Sequence, residues 1–200
     1  MKSSLIIVTF FVIGIVAGLE GILPEFLIKS EIVVYPLYLL MFLVAVGIGA
    51  DKKALKIFKA TSYKILLIPI FIVVGTLSGV AIISLFLSGI SIQDSLAVGA
   101  GMGYYSLSSV LIGQIKGETL GVIALMSNIM REIFTLLVAP LLVKYFGKIA
   151  PISTAGATSM DTTLPIIIRF SGKDYAVISI VSGTILTILV PFLVVFILQW

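Results

Sequence analysis

The chain has 200 residues, of which 60% are apolar and only 11% are charged. Soluble domains average about 25% charged residues, so a chain this poor in charge cannot cover a water-facing surface. The absence of histidine and cysteine excludes disulfides and removes the usual ligands for zinc, haem and iron–sulfur clusters. The net charge of +4 comes from lysines that cluster between apolar runs. We therefore predict an integral membrane protein with no cofactor, no metal and no nucleic-acid partner.

Seven apolar runs are long enough to cross a bilayer, because a transmembrane helix needs about 20 mostly apolar residues. They are Leu5–Ile22, Ile32–Ala50, Ile65–Leu87, Ser95–Ile115, Leu120–Val143, Pro151–Phe170 and Tyr175–Trp200. The first run lacks a good signal-peptide cleavage site, so we interpret it as a retained helix. The sequence thus predicts an all-α membrane protein with about seven transmembrane segments in a single domain, residues 1–200.

Lysines and arginines in short loops indicate the cytoplasmic side of a membrane protein. The link 51–64 carries five lysines and is predicted to be cytoplasmic, although these lysines could instead bind anionic lipids. The link 20–31, with three glutamates and one lysine, and the C-terminus are then predicted outside. Strict alternation of seven spans also places Lys144 and Lys148 outside, against the rule. We therefore expect that one segment is re-entrant instead of spanning.

Two of the seven segments differ from ordinary spans. The fourth contains glycines and hydroxyl residues over 99–109, and the sixth contains them over 153–165 together with Asp161 and Pro165. Non-helical backbone survives in a bilayer only where it is buried in protein or lines a water-filled cavity. Glycine- and proline-interrupted segments at corresponding places are typical of a transporter binding site. We predict that both segments are discontinuous or re-entrant, although small residues could merely allow close helix packing.

The same two stretches align weakly with each other, as an internal repeat would. Gly103 falls opposite Gly156 in this alignment, and Ser108 falls opposite Asp161. The similarity covers nine positions with three identities, so it suggests a repeat without establishing one.

Three charged residues, Arg131, Glu132 and Asp161, lie near the centres of apolar segments. A lone charge at such a position costs about 2.5–3.5 kcal/mol. Asn128, Arg131 and Glu132 stand at i, i+3 and i+4, so they share one face of a helix. We predict that Arg131 pairs with Asp161 and that Glu132 is the freer carboxylate. A static structural pair is the alternative, but an ionisable residue inside a membrane is by default a functional-site hypothesis.

The polar residues favour transport over catalysis. The chain has no histidine, no cysteine and no nucleophile-elbow serine beside a base, so we do not predict an enzyme. A membrane aspartyl protease would share one proton between two aspartates, and Glu132 is not an aspartate. Two carboxylates in a broken-helix cavity suit a protein that binds a cation and a proton in turn, as an antiporter does.

The stretches 103–109, 127–132 and 156–165 resemble the prokaryotic lysine exporters of the LysO type. The resemblance implies export of L-lysine and of toxic analogues such as thialysine across the cell membrane. It implies that a glutamate and an aspartate inside the membrane matter for transport, and these fall on Glu132 and Asp161. It also implies a relation to cation/proton antiporters, in which two discontinuous helices cross near the bilayer midplane.

Longer members of the resembled family carry additional N-terminal helices. The resemblance therefore implies either a homodimer or a separate small membrane protein that supplies the missing helices.

The predicted ligands are L-lysine and protons. Asp161 or Glu132 would bind an ammonium group of lysine, and the carboxylate would meet Arg131 or the N-terminus of a half-helix after a break near Thr158–Ser159. The candidate binding residues are Glu132, Asp161, Arg131, Asn128, Tyr104, Tyr105, Ser106, Ser108, Thr158, Ser159, Thr162 and Thr163. The alternatives are a Na⁺ or K⁺/proton antiporter and a non-transporting subunit of another membrane complex.

Overall fold

A computed structural model of the chain describes residues 63–199 and six isolated helical positions before them: 13, 16, 17, 39, 42 and 46. The chain divides into two compact units, Met1–Asp51 and Lys52–Trp200. Apart from those six positions, the first two predicted segments lie outside the described residues, as does the basic link before residue 63.

The second unit is helical throughout its described part. Its helices are α1 (Tyr63–Ser84), α2 (Ile92–Ala100), α3 (Tyr105–Lys116), α4 (Glu118–Phe146), α5 (Ala150–Ala155), α6 (Leu164–Ser171) and α7 (Tyr175–Gln199), with a 3₁₀ turn (Gly156–Met160) directly after α5. Three helices, α1, α4 and α7, are long and apolar enough to cross a membrane. For the described residues, the prediction of an all-α membrane protein is confirmed.

The fourth predicted segment is broken and folds back on itself. The turn Gly101–Tyr104 separates α2 from α3, and Gly103 adopts a φ of +92° that favours glycine. Lys116 at the end of α3 forms a salt bridge with Asp94 at the start of α2, with 3.6 Å between Nζ and Oδ1. Since both open ends meet, α2 and α3 form a helical hairpin, which we call hairpin 1 (Ile92–Lys116).

The sixth predicted segment is also broken, and α6 returns toward the start of α5. Ile167 of α6 packs with Ile152 of α5 and with Tyr175 at the start of α7. The Lys148 ammonium, just before α5, lies 5.8 Å from the centre of the Tyr175 ring. We call this second helical hairpin hairpin 2 (Ala150–Ser171).

The two hairpins open toward opposite ends of the long helices. Hairpin 1 opens beside the end of α7, where the Gln93 side chain donates a hydrogen bond to the carbonyl of Ile197 at 2.8 Å. Hairpin 2 opens beside the end of α4 and the start of α7. Four cations lie at the open end of hairpin 2, which we call the basic side: Lys144, Lys148, Arg169 and Lys173. This geometry removes the conflict in the predicted topology, because the segment between Lys148 and Lys173 returns to the side on which it began.

Small residues let α7 approach hairpin 2 closely. A Cβ added to Gly183 would lie 2.7 Å from the Cβ of Met160 and 2.9 Å from the carbonyl oxygen of Ala157. One turn earlier on α7, Ser179 and Ser159 exchange hydroxyl-to-carbonyl hydrogen bonds of 2.7 and 3.0 Å. These contacts fix the 3₁₀ turn of hairpin 2 against the first half of α7.

Candidate functional site

The tips of the two hairpins meet at about half the length of the long helices. The Ala157 amide of hairpin 2 donates a 2.9 Å hydrogen bond to the carbonyl of Met102 in hairpin 1. A Cβ on Gly103 would lie 2.7 Å from the Ala155 carbonyl oxygen, and a Cβ on Gly156 would overlap the Met102 carbonyl. Glycine therefore allows the two backbones to touch, and we call this contact the crossing.

Asn128 of α4 holds the tip of hairpin 1. Its Oδ1 accepts a 2.7 Å hydrogen bond from the Gly103 amide, and its Nδ2 donates to the carbonyls of Val98 at 3.2 Å and Ala124 at 2.9 Å. The side chain is buried. Both amide hydrogens are engaged by protein carbonyls, so Asn128 fixes the break in the helix.

Arg131, one turn further along α4, holds hairpin 2 in the same way. Its Nε donates to the carbonyl of Thr154 at 2.7 Å, and its Nη2 donates to the carbonyl of Ser153 at 3.0 Å. Nη2 also lies 3.3 Å from the Thr76 hydroxyl of α1. The last carbonyls of a helix lack partners within the helix and carry partial negative charge, so a cation there is favourable.

The predicted ion pair between Arg131 and Asp161 is wrong. Within residues 63–199 Arg131 forms no salt bridge, and its guanidinium is directed to the carbonyl end of α5. Asp161 lies further along the chain, exposed on the tip of hairpin 2. Its Oδ1 accepts hydrogen bonds from the amide and the hydroxyl of Thr162. The backbone carbonyls at the end of α5 accept the hydrogen bonds of the arginine. The predicted ion pair had considered only carboxylates as partners of Arg131.

Four of the predicted residues flank the crossing. Tyr104 and Tyr105 directly follow Gly103 in hairpin 1, Asp161 directly follows the 3₁₀ turn of hairpin 2, and Glu132 directly follows Arg131 on α4. Glu132 is half-buried, and no group in the described part of the chain donates a hydrogen bond to its carboxylate. We call these four residues, two carboxylates and two phenols, the tip site.

The predicted hydroxyl residues fall into two groups. Ser108, Thr158, Ser159 and Thr163 are buried, and each hydroxyl donates to a backbone carbonyl at 2.8–3.0 Å. They stabilise the broken backbone. Ser106 and Thr162 are exposed and lie next in sequence to Tyr105 and Asp161, and the Thr162 hydroxyl donates a 3.3 Å hydrogen bond to the Asp161 carboxylate.

Three contacts of the site were missed by the sequence reasoning. Thr76 contacts Arg131, while Ser179 and Gly183 contact the 3₁₀ turn. The spacing of Ser179 and Gly183 is a small-xxx-small pattern, which is a signal for close helix packing. Nothing in the sequence distinguishes Thr76 from other polar residues in apolar helices.

The chemistry that this arrangement allows is cation and proton binding. Among residues 63–199, no three acidic side chains lie close enough together to hold a metal ion. Two carboxylates with aromatic neighbours suit an organic ammonium group, which can bind a carboxylate and the face of an aromatic ring.

The fold and the site define a multi-pass helical membrane protein with acidic residues at half depth, beside two crossing hairpins. A sequence model of the family described as lysine exporter LysO matches residues 8–198. The chain therefore belongs to the LysO lysine exporter family, as the resemblance had implied. It is a multi-pass protein of the cell membrane.

Two curated relatives show the extent of the similarity. The lysine exporter LysO of Escherichia coli is 34% identical over 185 residues, which are 92% of this chain and 60% of the relative. A Haemophilus influenzae protein provisionally named as a lysine exporter is 34% identical over 162 residues, which are 81% of this chain and 82% of the relative. The chain thus spans less than two thirds of the E. coli protein. No solved structure matches the chain.

Proposed function

We propose that this chain exports L-lysine and toxic lysine analogues across the cell membrane in exchange for protons. Membership of the LysO family and the two relatives named as lysine exporters support lysine as the substrate. The observation that carries the proposal is the tip site, where Glu132 and Asp161 flank the point at which two broken helices touch. A proton and an ammonium group would compete for such carboxylates.

Asp161 is the proposed anion for lysine. Its carboxylate is exposed at the tip of hairpin 2, and within residues 63–199 it forms no ion pair that a substrate would have to break. Tyr104 and Tyr105 would contact the ammonium group through a hydroxyl or an aromatic face. The exposed hydroxyls of Ser106 and Thr162 would offer further hydrogen bonds.

Glu132 is the proposed proton carrier. A proton from outside would displace lysine from the tip site, and release of that proton to the cytoplasm would reset it. Exchange of one proton for one lysine cation is electroneutral, whereas protonation of both carboxylates would make export electrogenic.

We also propose that α1, α4 and α7 span the bilayer, while the two hairpins are re-entrant from opposite sides. The basic side of the protein would then be cytoplasmic, because positive residues in short loops favour that side. This arrangement places Lys144, Lys148, Arg169 and Lys173 together in the cytoplasm and the C-terminus outside.

The topology can be tested with single cysteines, since the natural chain has none. K148C and K173C should react with a membrane-impermeant maleimide from the cytoplasmic side, and K116C should react from the outside. Seven alternating spans would instead label K148C and K173C from opposite sides. That result would contradict the re-entrant hairpin 2.

Lysine flux in proteoliposomes tests the proposed function. Purified protein should drive uptake or release of labelled lysine when a pH gradient is imposed, and dissipating the gradient should stop it. A response to Na⁺ or K⁺ without lysine flux would favour the metal-cation antiporter instead. No flux from the chain alone, with co-purification of a second membrane protein, would favour the predicted helper protein over a self-sufficient homodimer.

The E132Q variant tests the proton carrier in the same proteoliposomes. The amide mimics a permanently protonated acid, so lysine binding should persist while pH-driven flux is lost. Intact flux with an unchanged pH optimum would exclude Glu132 as the carrier, and Asp161 would then bind lysine and proton alternately.

A further inference from the structure

An open groove of about 450 Å³, which we call the cavity, lies between α1, α4 and α5, and its lining residues Phe71 and Phe134 are exposed. It is lined by Phe71, Ile72, Gly75, Thr76, Arg131, Phe134, Ser153 and Thr154. Small-molecule sites typically have about 300–1,000 Å³, so an amino acid fits this volume. The lining combines aromatic walls with one cation and a few hydroxyls, and it includes neither carboxylate of the tip site.

Two N–H donors of the Arg131 guanidinium have no acceptor among the described residues. Arginine has five N–H donors, and three of them point to Ser153, Thr154 and Thr76. The two hydrogens of Nη1 have no acceptor among the described residues. The Thr76 hydroxyl accepts from Arg131, so its own hydrogen is available to a ligand.

The charge in the cavity is positive. The Ser153 and Thr154 carbonyls supply only partial negative charge, and within residues 63–199 Arg131 has no carboxylate partner. A second cavity, of about 260 Å³, has no charged side chain in its lining. Of these two cavities, both lined by described residues, the larger one carries the positive charge.

The depth of Arg131 indicates what kind of anion can reach it. Arg131 lies near the midpoint of the 29-residue α4, far from the ends where lipid phosphates lie. A small carboxylate, unlike a lipid phosphate, is not confined to the ends of the helices, and the cavity has the volume to hold it. Lysine, the substrate of the proposed export cycle, carries such a carboxylate.

We propose that Arg131 and Thr76 form the subsite for the α-carboxylate of the exported amino acid. The inference rests on the proposed function; it selects Arg131 over a half-helix N-terminus as the partner of the carboxylate and adds Thr76 and the cavity that they share. It assigns Arg131 two roles, since the same guanidinium holds the end of α5 and presents Nη1 to the cavity. The subsite would select amino acids over amines of similar length, such as cadaverine, which has no carboxylate.

The T76V variant tests the subsite without removing the charge of Arg131. Valine keeps the shape of threonine and removes one hydrogen bond to the carboxylate, so affinity for lysine should fall about tenfold. Binding of cadaverine, followed by ligand-induced thermal stabilisation, should stay unchanged. T76S should restore lysine affinity, and T135V, at a hydroxyl that bonds only within α4, is the matched control.

The outcomes separate the subsite from the proposed function. If the wild-type protein transports lysine but T76V weakens the binding of lysine and of cadaverine equally, the subsite is wrong and lysine export stands. An unchanged lysine affinity in T76V would also overturn it. If the wild-type protein neither binds nor transports lysine, the proposed function fails, and the subsite fails with it.

Discussion

The two hairpins share one plan but differ in how their breaks are built. In hairpin 1 a turn of four residues, Gly101–Tyr104, joins α2 to α3. In hairpin 2 eight residues, Gly156–Thr163, lie between α5 and α6. Asn128 holds the first break with a neutral amide, and Arg131 holds the second with a cation. The longer break, in hairpin 2, carries Asp161 exposed at its tip, whereas the shorter break of hairpin 1 carries no charged residue.

Asn128 and Arg131, which we call the clamps because each holds one hairpin by hydrogen bonds, lie one turn apart on α4. Asn128 donates a hydrogen bond to the carbonyl of Val98, and Arg131 donates to the carbonyls of Ser153 and Thr154. Each side chain therefore binds the carboxyl end of the first helix of one hairpin. The shared spacing explains why three polar residues are crowded at the middle of an apolar helix. Two of them satisfy backbone groups that the breaks leave unpaired.

The D161N variant should have the largest effect on function, because it removes the charge at the tip of hairpin 2, which has no counterpart in the turn Gly101–Tyr104 of hairpin 1. The amide keeps the shape of the side chain, so we expect a folded protein with no lysine flux in proteoliposomes. Flux should fall below detection while the melting temperature in detergent stays close to the wild-type value.

D174N is the matched control, since Asp174 is exposed in the link between α6 and α7. It should transport lysine at the wild-type rate. Normal flux in D161N would show that Asp161 has no part in binding the substrate.

The G156A variant should break the crossing itself. A Cβ there would overlap the Met102 carbonyl, and the residue has a φ of +67°. Overpacking and left-handed backbone together should destabilise the fold by about 2–5 kcal/mol. G172A separates the two causes, because Gly172 has a φ of +105° and nothing within 4 Å of an added Cβ.

Melting of the two glycine variants in detergent gives the comparison. G156A should lose clearly more thermal stability than G172A. Equal losses would mean that backbone conformation alone accounts for the effect and that the crossing tolerates a methyl group.

The sequence predicted the breaks but not the path of the chain through them. Glycine, proline and hydroxyl residues inside apolar segments indicate non-helical backbone, and both breaks lie where those residues cluster. Whether a broken helix continues or folds back depends on contacts such as Lys116 with Asp94, which no local pattern specifies. The interrupted segments left open whether the chain continues or folds back, and the conflict over Lys144 and Lys148 was the sequence signal that favoured a re-entrant segment.

The weak repeat alignment was informative only at its glycines. Gly103 and Gly156 both have positive φ and touch at the crossing, so they are equivalent in the structure. Beyond them the equivalence ends, because Ser108 is buried in α3 whereas Asp161 is exposed on a tip. Charge pairing also failed as a guide, since the acceptors nearest Arg131 are backbone carbonyls, which a sequence cannot place in space.

Replacing Asn128 or Arg131 should give smaller effects on stability than G156A. The two variants compare a neutral with a charged side chain in the same structural role. N128A loses its bonds to Gly103 and Val98. Hydrogen bonds inside membrane proteins contribute about 0.6–1.7 kcal/mol each, so we expect a loss of about 1–3 kcal/mol.

R131A should cost more, about 2–4 kcal/mol, because bonds from charged donors are stronger and two half-buried carbonyls lose their partner. S127A, at an exposed neighbour on α4, is the control and should melt as the wild type does. R131K should recover part of the loss, since lysine keeps the charge but not the fork that reaches both carbonyls. If R131A melts at the wild-type temperature, the cation does not hold hairpin 2. The end of α5 would then be stabilised by its packing against α6 and α7 alone.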